Sequence, residues 1–217
     1  MERIVIVGAS RGLGAELVKS VPRDNKILGI ARKEERLSAL AKEIPGLEIF
    51  AADVTNKMDA ILARIEEFKP DRIFYLAAGG PYGAFASKEW KDHMWSWEVT
   101  FLGAARIVHR ALGMNPPPRQ VVLCGSSVAE NAGDVNAASY AGAKHAILGL
   151  YQSLRAENPS FDLRLYSPGY LDTQLLPKNA PVRYKNVWKP ETVAKDLWDW
   201  SCTSDIGGHR RLEIYPE

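Results

Sequence analysis

The sequence predicts a single α/β domain built on a doubly wound, seven-stranded parallel sheet with helices on both faces. Short runs of apolar, mostly β-branched residues, such as residues 4–7, indicate strands that are buried on both faces. Between these runs lie segments with apolar residues at helical spacing, and strands that alternate with helices form parallel βαβ units. The length of 217 residues fits one such domain.

Each element follows from a local pattern. The first helix ends at Pro22, because proline cannot continue a helix, and the Asn-Pro-Pro-Pro run at residues 115–118 ends a long helix for the same reason. The predicted strands are residues 4–7, 27–31, 47–51, 72–77, 120–124, 161–166 and 211–215. The predicted helices are residues 15–21, 34–43, 57–68, 87–112, 138–157 and 191–200.

The composition limits the classes of function. The formal net charge is +2, and the 28 Lys and Arg residues are scattered, which argues against a nucleic-acid partner. Cys124 and Cys202 lack the spacing of metal ligands or of a disulfide framework. The N-terminal apolar run is too short for a signal peptide, and no apolar stretch is long enough to span a bilayer. We therefore expect a cytoplasmic protein with no metal, nucleic-acid or membrane partner.

The first predicted strand leads directly into a glycine-rich turn at residues 8–14. Glycines at a strand-to-helix turn let the backbone approach a pyrophosphate, and the free N–H groups of the next helix then face that anion. Glycine clusters alone leave open a flexible turn without a ligand. The position of this turn, after a buried strand and before an amphipathic helix, favours a dinucleotide site of the Rossmann type. The predicted cofactor contacts are Gly8, Ser10, Arg11, Gly12, Leu13 and Gly14.

The end of the second strand indicates which dinucleotide binds. Enzymes that use NAD place a carboxylate there to hold the ribose 2′-hydroxyl, whereas this sequence has Arg32 and Lys33. Together with Arg11 in the glycine turn, Arg32 suits the 2′-phosphate of NADP. The alternative is that Arg32 and Lys33 are solvated charges at the start of a surface helix. We predict NADP(H) rather than NAD(H) as the cofactor.

Three residues near the predicted carboxyl edge of the sheet could carry proton-transfer chemistry. Tyr140 and Lys144 are four residues apart on a predicted helix, so their side chains leave the same face. Such a pair also arises by chance. Ser127, at the end of the preceding strand, belongs to the same predicted edge, where ligands bind. The pattern therefore indicates a phenol, an ammonium and a hydroxyl in one site.

These motifs, together with Pro168-Gly169, resemble the short-chain dehydrogenase/reductase family. The family serine precedes the tyrosine by 13 residues, as Ser127 precedes Tyr140 here. The resemblance covers nearly the whole chain. It implies further cofactor contacts at Asp53 and Val54 near the adenine, at Ala78 and Gly79 near the nicotinamide ribose, at Thr173 near the nicotinamide, and at Pro168 and Gly169.

The resemblance also implies an activity, the interconversion of a carbonyl and an alcohol by hydride transfer. Tyr140 would donate a proton during reduction and accept one during oxidation. Lys144 would stabilise the phenolate and hold the ribose hydroxyls, and Ser127 would hydrogen-bond the carbonyl oxygen. The substrate is expected to be a small organic molecule. Reduction of a C=N bond or a pteridine-like ring uses the same chemistry and stays open.

Two segments depart from the family pattern. Leu76-Ala77 replaces an Asn-Asn pair after the fourth strand, and Thr100 stands where the family has an Asn that joins a proton relay through a water. A Thr hydroxyl can hold a water but lacks the geometry of an amide, so Thr100 is at best a weak replacement. These departures favour the alternative function, a dinucleotide-binding regulator or scaffold with weak or no catalysis.

The irregular segment at residues 169–190 follows the sixth strand and is predicted to cover a bound substrate. This segment is short for the family, so we expect an open pocket or one that a partner subunit completes. The resemblance implies a homodimer or homotetramer. Trp90, Trp95 and Trp97 are predicted to lie in the core or in subunit contacts rather than against the substrate.

Overall fold

The computed structural model describes residues 1–131, 135–177 and 180–216. Seven strands form one sheet in which every described pairing is parallel. The strands are β1 (Arg3–Val7), β2 (Lys26–Ala31), β3 (Leu47–Ala51), β4 (Arg72–Tyr75), β5 (Gln120–Cys124), β6 (Asp162–Ser167) and β7 (His209–Arg211). Their order in the sheet is β3-β2-β1-β4-β5-β6-β7. The chain therefore reverses direction of winding beside β1, which leaves a crevice between β1 and β4.

Helices connect the strands and cover both faces of the sheet. They are α1 (Gly12–Ser20), α2 (Glu34–Glu43), α3 (Met58–Phe68), α4 (Trp90–Trp97), α5 (Gly103–Leu112), α6 (Ser127–Asn131), α7 (Ala138–Ala156) and α8 (Pro190–Ser201). Short 3₁₀ turns lie at Phe85–Ser87 and Pro181–Tyr184, and a π-helical turn lies at Glu98–Leu102. Within the described residues, no helix has the length and apolar content that crossing a membrane requires.

Alternate residues of the central strand face opposite sides of the sheet. Val5 and Val7 pack with apolar residues of α3, α5 and α7, whereas Ile4 and Ile6 pack with apolar residues of α1, α2 and α8. The sheet is thus buried on both faces, which explains why its strands read as continuous apolar runs. The predicted fold class, a doubly wound parallel sheet in a single domain, is confirmed.

Some element bounds differ from the prediction. β4 ends at Tyr75 rather than at residue 77, because the residues after Tyr75 turn to line a cavity. β7 covers His209–Arg211 rather than residues 211–215, because its pairing with β6 ends at Ser167 and Pro168 has no N–H to continue the ladder. α6 is missing from the prediction, since a helix of five residues is too short for a periodic pattern.

The predicted long helix of residues 87–112 is divided by the π-helical turn. In this turn the Gly103 N–H donates to the Glu98 carbonyl, five residues earlier. The Val99 carbonyl, which would accept that bond in a regular α-helix, instead accepts a hydrogen bond from the buried hydroxyl of Tyr75 at 2.6 Å. A side chain at residue 103 would overlap that hydroxyl. Tyr75 and Gly103 together therefore set the path of the helix.

Gly103→Ala is expected to destabilise the protein, because the added methyl group would overlap the Tyr75 hydroxyl. Overpacking of this kind costs about 1–3 kcal/mol, which urea denaturation would report as a lower midpoint. Gly149→Ala is the matched control: it also lies inside a helix, and among the described residues nothing outside its own helix lies within 4 Å of the added methyl. The control is expected to stabilise the protein by about 0.5–1 kcal/mol. Equal effects of the two substitutions would contradict the steric explanation.

Candidate active site

A cavity of about 290 Å³ lies at the carboxyl ends of the central strands. Ligands of open parallel sheets bind at this edge. Most of the site residues predicted from sequence line the cavity, namely Gly8, Ser10, Arg11, Gly12, Leu13, Gly14, Arg32, Val54, Ala78, Tyr140, Lys144, Pro168, Gly169 and Thr173. Four others are not among the lining residues, namely Asp53, Gly79, Thr100 and Ser127.

The glycine turn packs so closely that side chains would not fit. A methyl group at Gly14 would overlap the Gly8 carbonyl oxygen, and one at Gly8 would overlap the backbone of Ala77. Gly8 and Gly12 also have φ angles of +96° and +53°, which residues with a side chain rarely adopt. α1 begins at Gly12, and Arg11 makes no side-chain capping bond. The first N–H groups of α1 therefore remain available to an anion.

Three arginines converge at one end of the cavity. Arg11, Arg32 and Arg36 all line it, and Arg11 and Arg36 donate to the side-chain oxygen of Gln174 at 3.2 and 3.1 Å. Burial lowers the pKa of Arg11, and the charges of Arg36 and Arg32 lower it further. Arg36 and Gln174 are missing from the residues predicted from sequence. Arg36 could have been found, because it lies one turn into the helix that Lys33 precedes, whereas Gln174 carries no local signal.

Arg32 is held in place by two side chains. Its guanidinium lies 3.8 Å from a carboxylate oxygen of Asp53 and 5.3 Å from the ring centre of Trp95. The Asp53 carboxylate also accepts hydrogen bonds from the N–H and the hydroxyl of Thr55, each at 3.0 Å. The ring of Trp95 packs against Gly79, where a side chain would overlap it. Asp53 thus contacts Arg32, and Gly79 contacts the Trp95 ring on which Arg32 lies, although neither Asp53 nor Gly79 lines the cavity.

Tyr140 and Lys144 both line the cavity from α7. Lys144 is 1% exposed, and its ammonium donates a hydrogen bond to the Cys124 carbonyl at 2.7 Å, where β5 ends. The Lys144 Nζ lies 5.5 Å from the ring centre of Tyr140. Burial lowers the pKa of Lys144. The arrangement brings a desolvated cation close to a phenol.

Ser127 is the first residue of α6 and is fully buried. Its Oγ has no hydrogen-bond partner among the described residues. The backbone N–H of Ser127 donates to the Pro168 carbonyl at 3.0 Å, which ties the turn after β5 to the turn after β6. The neighbouring Ser126 lines the cavity instead. Ser126 is missing from the predicted residues, although a second serine in the same turn is a visible signal.

Thr100 is buried in the π-helical turn and contacts the loop after β4. Its Oγ1 accepts a hydrogen bond from the Gly79 N–H and donates one to the Gly79 carbonyl, both at 3.2 Å. Ser96 donates to the same carbonyl at 2.7 Å. Thr100 therefore holds the backbone of Gly79. The other member of the expected relay, the Lys144 ammonium, bonds to a different group, the Cys124 carbonyl. A part for Thr100 in a proton relay stays a prediction.

The segment at residues 169–190 covers part of the cavity and also reaches the arginines through Gln174. Leu175, Leu176 and Pro177 of this segment line the cavity, together with Tyr82 from the loop after β4. Leu176 is also buried in a separate apolar cluster, whose other members are Ala180 and Val182, with Tyr82, Tyr170, Val187 and Tyr215 packed against them. The segment thus has a small core of its own. Residues 178 and 179 of the segment lie outside the described residues.

The three tryptophans of the predicted long helix take two kinds of position. Trp95 is half-buried against the sheet, while Trp90 and Trp97 are 67% and 36% exposed. None of the three is among the residues that line the cavity. With Met94, Trp90 and Trp97 form an apolar face on α4, a feature typical of contacts with another chain. A homodimer or homotetramer stays a prediction.

Known proteins resemble this chain in sequence and in fold. A family model described as short chain dehydrogenase matches residues 2–182. An uncharacterized oxidoreductase of Mycobacterium tuberculosis is 29% identical over 181 residues, which cover 78% of this chain and 69% of the relative.

Two solved structures have the same fold. A short chain dehydrogenase from Burkholderia cenocepacia in complex with NADP has a TM-score of 0.86 and 20% identity, and the match covers 99% of this chain and 97% of the other. An actinorhodin polyketide ketoreductase with NADPH has a TM-score of 0.83 and 19% identity, with 97% and 95% covered. Because the family model matches most of the chain, the protein belongs to the short chain dehydrogenase family of oxidoreductases.

Proposed function

We propose that this protein is an NADP(H)-dependent oxidoreductase that interconverts a carbonyl and an alcohol on a small organic substrate. The observation that carries the proposal is that Tyr140 and Lys144 line the same cavity as the glycine turn. A phenol that exchanges a proton, with a cation that stabilises its anion, is what this reaction requires of the protein. Family membership and the NADP(H) complexes of two structural neighbours support the assignment.

The residues present fit a dinucleotide that carries a 2′-phosphate. The glycine turn lines the cavity with backbone that carries no side chains at Gly8, Gly12 and Gly14, and the N-terminus of α1 lies in the same turn. Arg11, Arg32 and Arg36 provide a concentrated positive charge at the end of β2, where NAD enzymes have a carboxylate. Bound there, NADP(H) would supply or accept the hydride.

The proton is assigned to Tyr140. Reduction of a carbonyl builds negative charge on its oxygen, and the Tyr140 hydroxyl would donate the proton that neutralises this charge. The buried ammonium of Lys144 would stabilise the resulting phenolate, and its bond to the Cys124 carbonyl keeps it beside the Tyr140 ring. In the reverse direction Tyr140 would accept the proton from the alcohol.

Ser127 is assigned to hold the substrate oxygen. Its fully buried hydroxyl lacks a partner among the described residues, and such unsatisfied groups are rare in folded proteins. Because Ser127 does not line the cavity, its hydroxyl would have to turn towards the cavity to reach the substrate. The neighbouring Ser126 lines the cavity and is a second candidate donor to this oxygen, although its Oγ already accepts a hydrogen bond from the Ala129 N–H at 3.4 Å.

A dinucleotide-binding regulator or scaffold with weak catalysis is the second candidate. Two observations favour it: the Thr100 hydroxyl is engaged with Gly79, and the Ser127 hydroxyl is buried. The two candidates differ in turnover. Purified protein that oxidises NADPH with any member of a panel of aldehydes, ketones, quinones and pterins is an enzyme, whereas cofactor binding without turnover across the panel favours the regulator.

Tyr140→Phe is expected to lower kcat by at least about a hundredfold, because the proton donor is lost. The NADPH dissociation constant, measured by fluorescence titration, should stay near that of the wild type. Tyr151→Phe is the matched control on the same helix: its hydroxyl donates to the Gly207 carbonyl at 2.6 Å, and Tyr151 does not line the cavity. It should cost about 1 kcal/mol of stability and leave kcat unchanged. Undiminished turnover in Tyr140→Phe would remove Tyr140 from the mechanism.

The wild-type protein is expected to bind NADPH at least about tenfold more tightly than NADH, or about 1.4 kcal/mol. Arg36→Gln should weaken NADPH binding while NADH binding stays the same, because only NADPH carries the 2′-phosphate. Arg106→Gln is the control, since this arginine lies on α5 and pairs with Asp59 at the surface. Equal affinities of the wild type for the two cofactors would show that the three arginines are surface charges without a ligand.

A further inference from the structure

A buried carboxylate on α6 connects three elements at the carboxyl edge of the sheet. The Glu130 side chain is 0% exposed. Its Oε1 accepts a hydrogen bond from the Ser167 hydroxyl at 2.5 Å, and its Oε2 accepts one from the Arg211 Nε–H at 2.9 Å. The Nε2 of His209 lies 3.3 Å from Oε2 and 2.9 Å from the Ser167 hydroxyl. Glu130 therefore joins α6 to the last residue of β6 and to β7.

The hydrogen bonds of this network are mutually consistent when the Nε2 of His209 carries a proton. His209 then donates to Ser167, and Ser167 donates to Glu130. Burial by itself would raise the pKa of Glu130, but the nearby Nε2 of His209, the hydrogen bond from Ser167 and the charge of Arg211 outweigh burial and hold the pKa below its ordinary value. Glu130 is therefore an ionised and fully bonded anchor at neutral pH.

The network lies between two turns that reach the cavity. The Ser126 N–H points to Oε1 of Glu130 at 3.4 Å, and the Ser127 N–H donates to the Pro168 carbonyl at 3.0 Å. Ser167 directly precedes Pro168, which lines the cavity. The turn after β5 is thus bonded through its backbone to Tyr166 and Pro168, and the Glu130–Ser167 bond joins the helix that follows it to the end of β6.

We propose that Glu130 is a positioning residue that sets the place of Ser127 relative to the residues after β6. This role rests on the proposed function, in which Ser127 holds the substrate oxygen. Glu130 lies three residues after Ser127 in the same short helix, so a change at its anchor shifts the first turn and the Ser127 hydroxyl with it. Displacements of about 1 Å at a reacting centre can lower a rate about a hundredfold.

Cofactor affinity should depend less on Glu130 than kcat does, because of the expected cofactor contacts only Pro168 and Gly169 directly follow Ser167. The glycine turn and the three arginines that we assign to the cofactor phosphates belong to the elements around β1 and β2. Glu130 bonds instead to Ser167 in β6 and Arg211 in β7, which lie at the opposite end of the strand order from β2 and β3. The role therefore predicts a loss in kcat without a matching loss in NADPH binding, which a general loss of structure would not produce.

The test compares Glu130→Gln with Asp162→Asn in the full-length protein. Asp162 is the matched control because it is a carboxylate in a buried network at the opposite end of β6, where it accepts bonds from Arg164 at 2.7 Å and Gln120 at 2.9 Å. Ser167→Ala is a second variant that breaks the same link without changing a charge. For each we would measure kcat, KM for the carbonyl, the NADPH dissociation constant and the thermal midpoint, with assays run well below every midpoint.

Glu130→Gln is expected to lower kcat about tenfold or more. Ser167→Ala is expected to lower kcat as well. Both should leave NADPH affinity within about threefold of the wild type. Asp162→Asn should lower the thermal midpoint and leave kcat nearly unchanged. Equal kcat losses in Glu130→Gln and Asp162→Asn, or no loss in Glu130→Gln, would overturn the role of Glu130.

If the wild-type protein shows no turnover, the proposed enzymatic function is refuted. A second measurement then tests the role of Glu130 on its own. Amide hydrogen exchange of Ser127, whose N–H bonds to Pro168, does not depend on activity. Faster exchange of this amide in Glu130→Gln than in Asp162→Asn would support the anchor and identify it as a structural support for a binding site. Equal exchange in the two variants would overturn it.

Discussion

The close approach of backbone segments at the glycine turn is the constraint on which the rest of the site depends. Gly14 lies against the Gly8 carbonyl, and Gly8 lies against the backbone of Ala77, so the start of α1, the end of β1 and the loop after β4 are in direct contact. A methyl group at Gly12 would lie 3.1 Å from the Thr173 side chain, which brings the segment after β6 to the same turn. Because backbone atoms set the two closest of these contacts, no side-chain rotation could relieve a substitution at Gly8 or Gly14.

Charge is divided between two parts of the cavity. Three exposed arginines gather at one end. Arg11 and Arg36 bond to Gln174, and Arg32 pairs with Asp53. Elsewhere the cavity is lined by one buried cation, Lys144, whose ammonium lies close to the ring of Tyr140. A solvated positive cluster suits an anionic ligand, whereas a desolvated cation acts strongly on a neighbouring proton donor. The proposed function therefore assigns anion binding to the arginines and proton transfer to Tyr140 and Lys144.

Buried polar side chains fix the loops that the sheet itself leaves free. Thr100 and Ser96 bond to the backbone of Gly79 after β4, Lys144 bonds to the Cys124 carbonyl at the end of β5, and Glu130 bonds to Ser167 at the end of β6. Thr100, Ser96 and Lys144 bond to backbone groups, whereas Glu130 bonds to the side chain of Ser167. Three successive loops at the carboxyl edge thus have defined positions although they belong to no strand.

The sequence by itself determined the order of strands and helices, the glycine turn and the shared helical face of Tyr140 and Lys144, because local periodicity and spacing along the chain specify these features. Tertiary structure alone decided that Tyr75 diverts a helix through Gly103, that Gln174 joins the arginines, and that Glu130 meets Ser167. These contacts join residues 24 to 163 positions apart. No local pattern reports them, since they arise only when distant segments pack at one edge of the sheet.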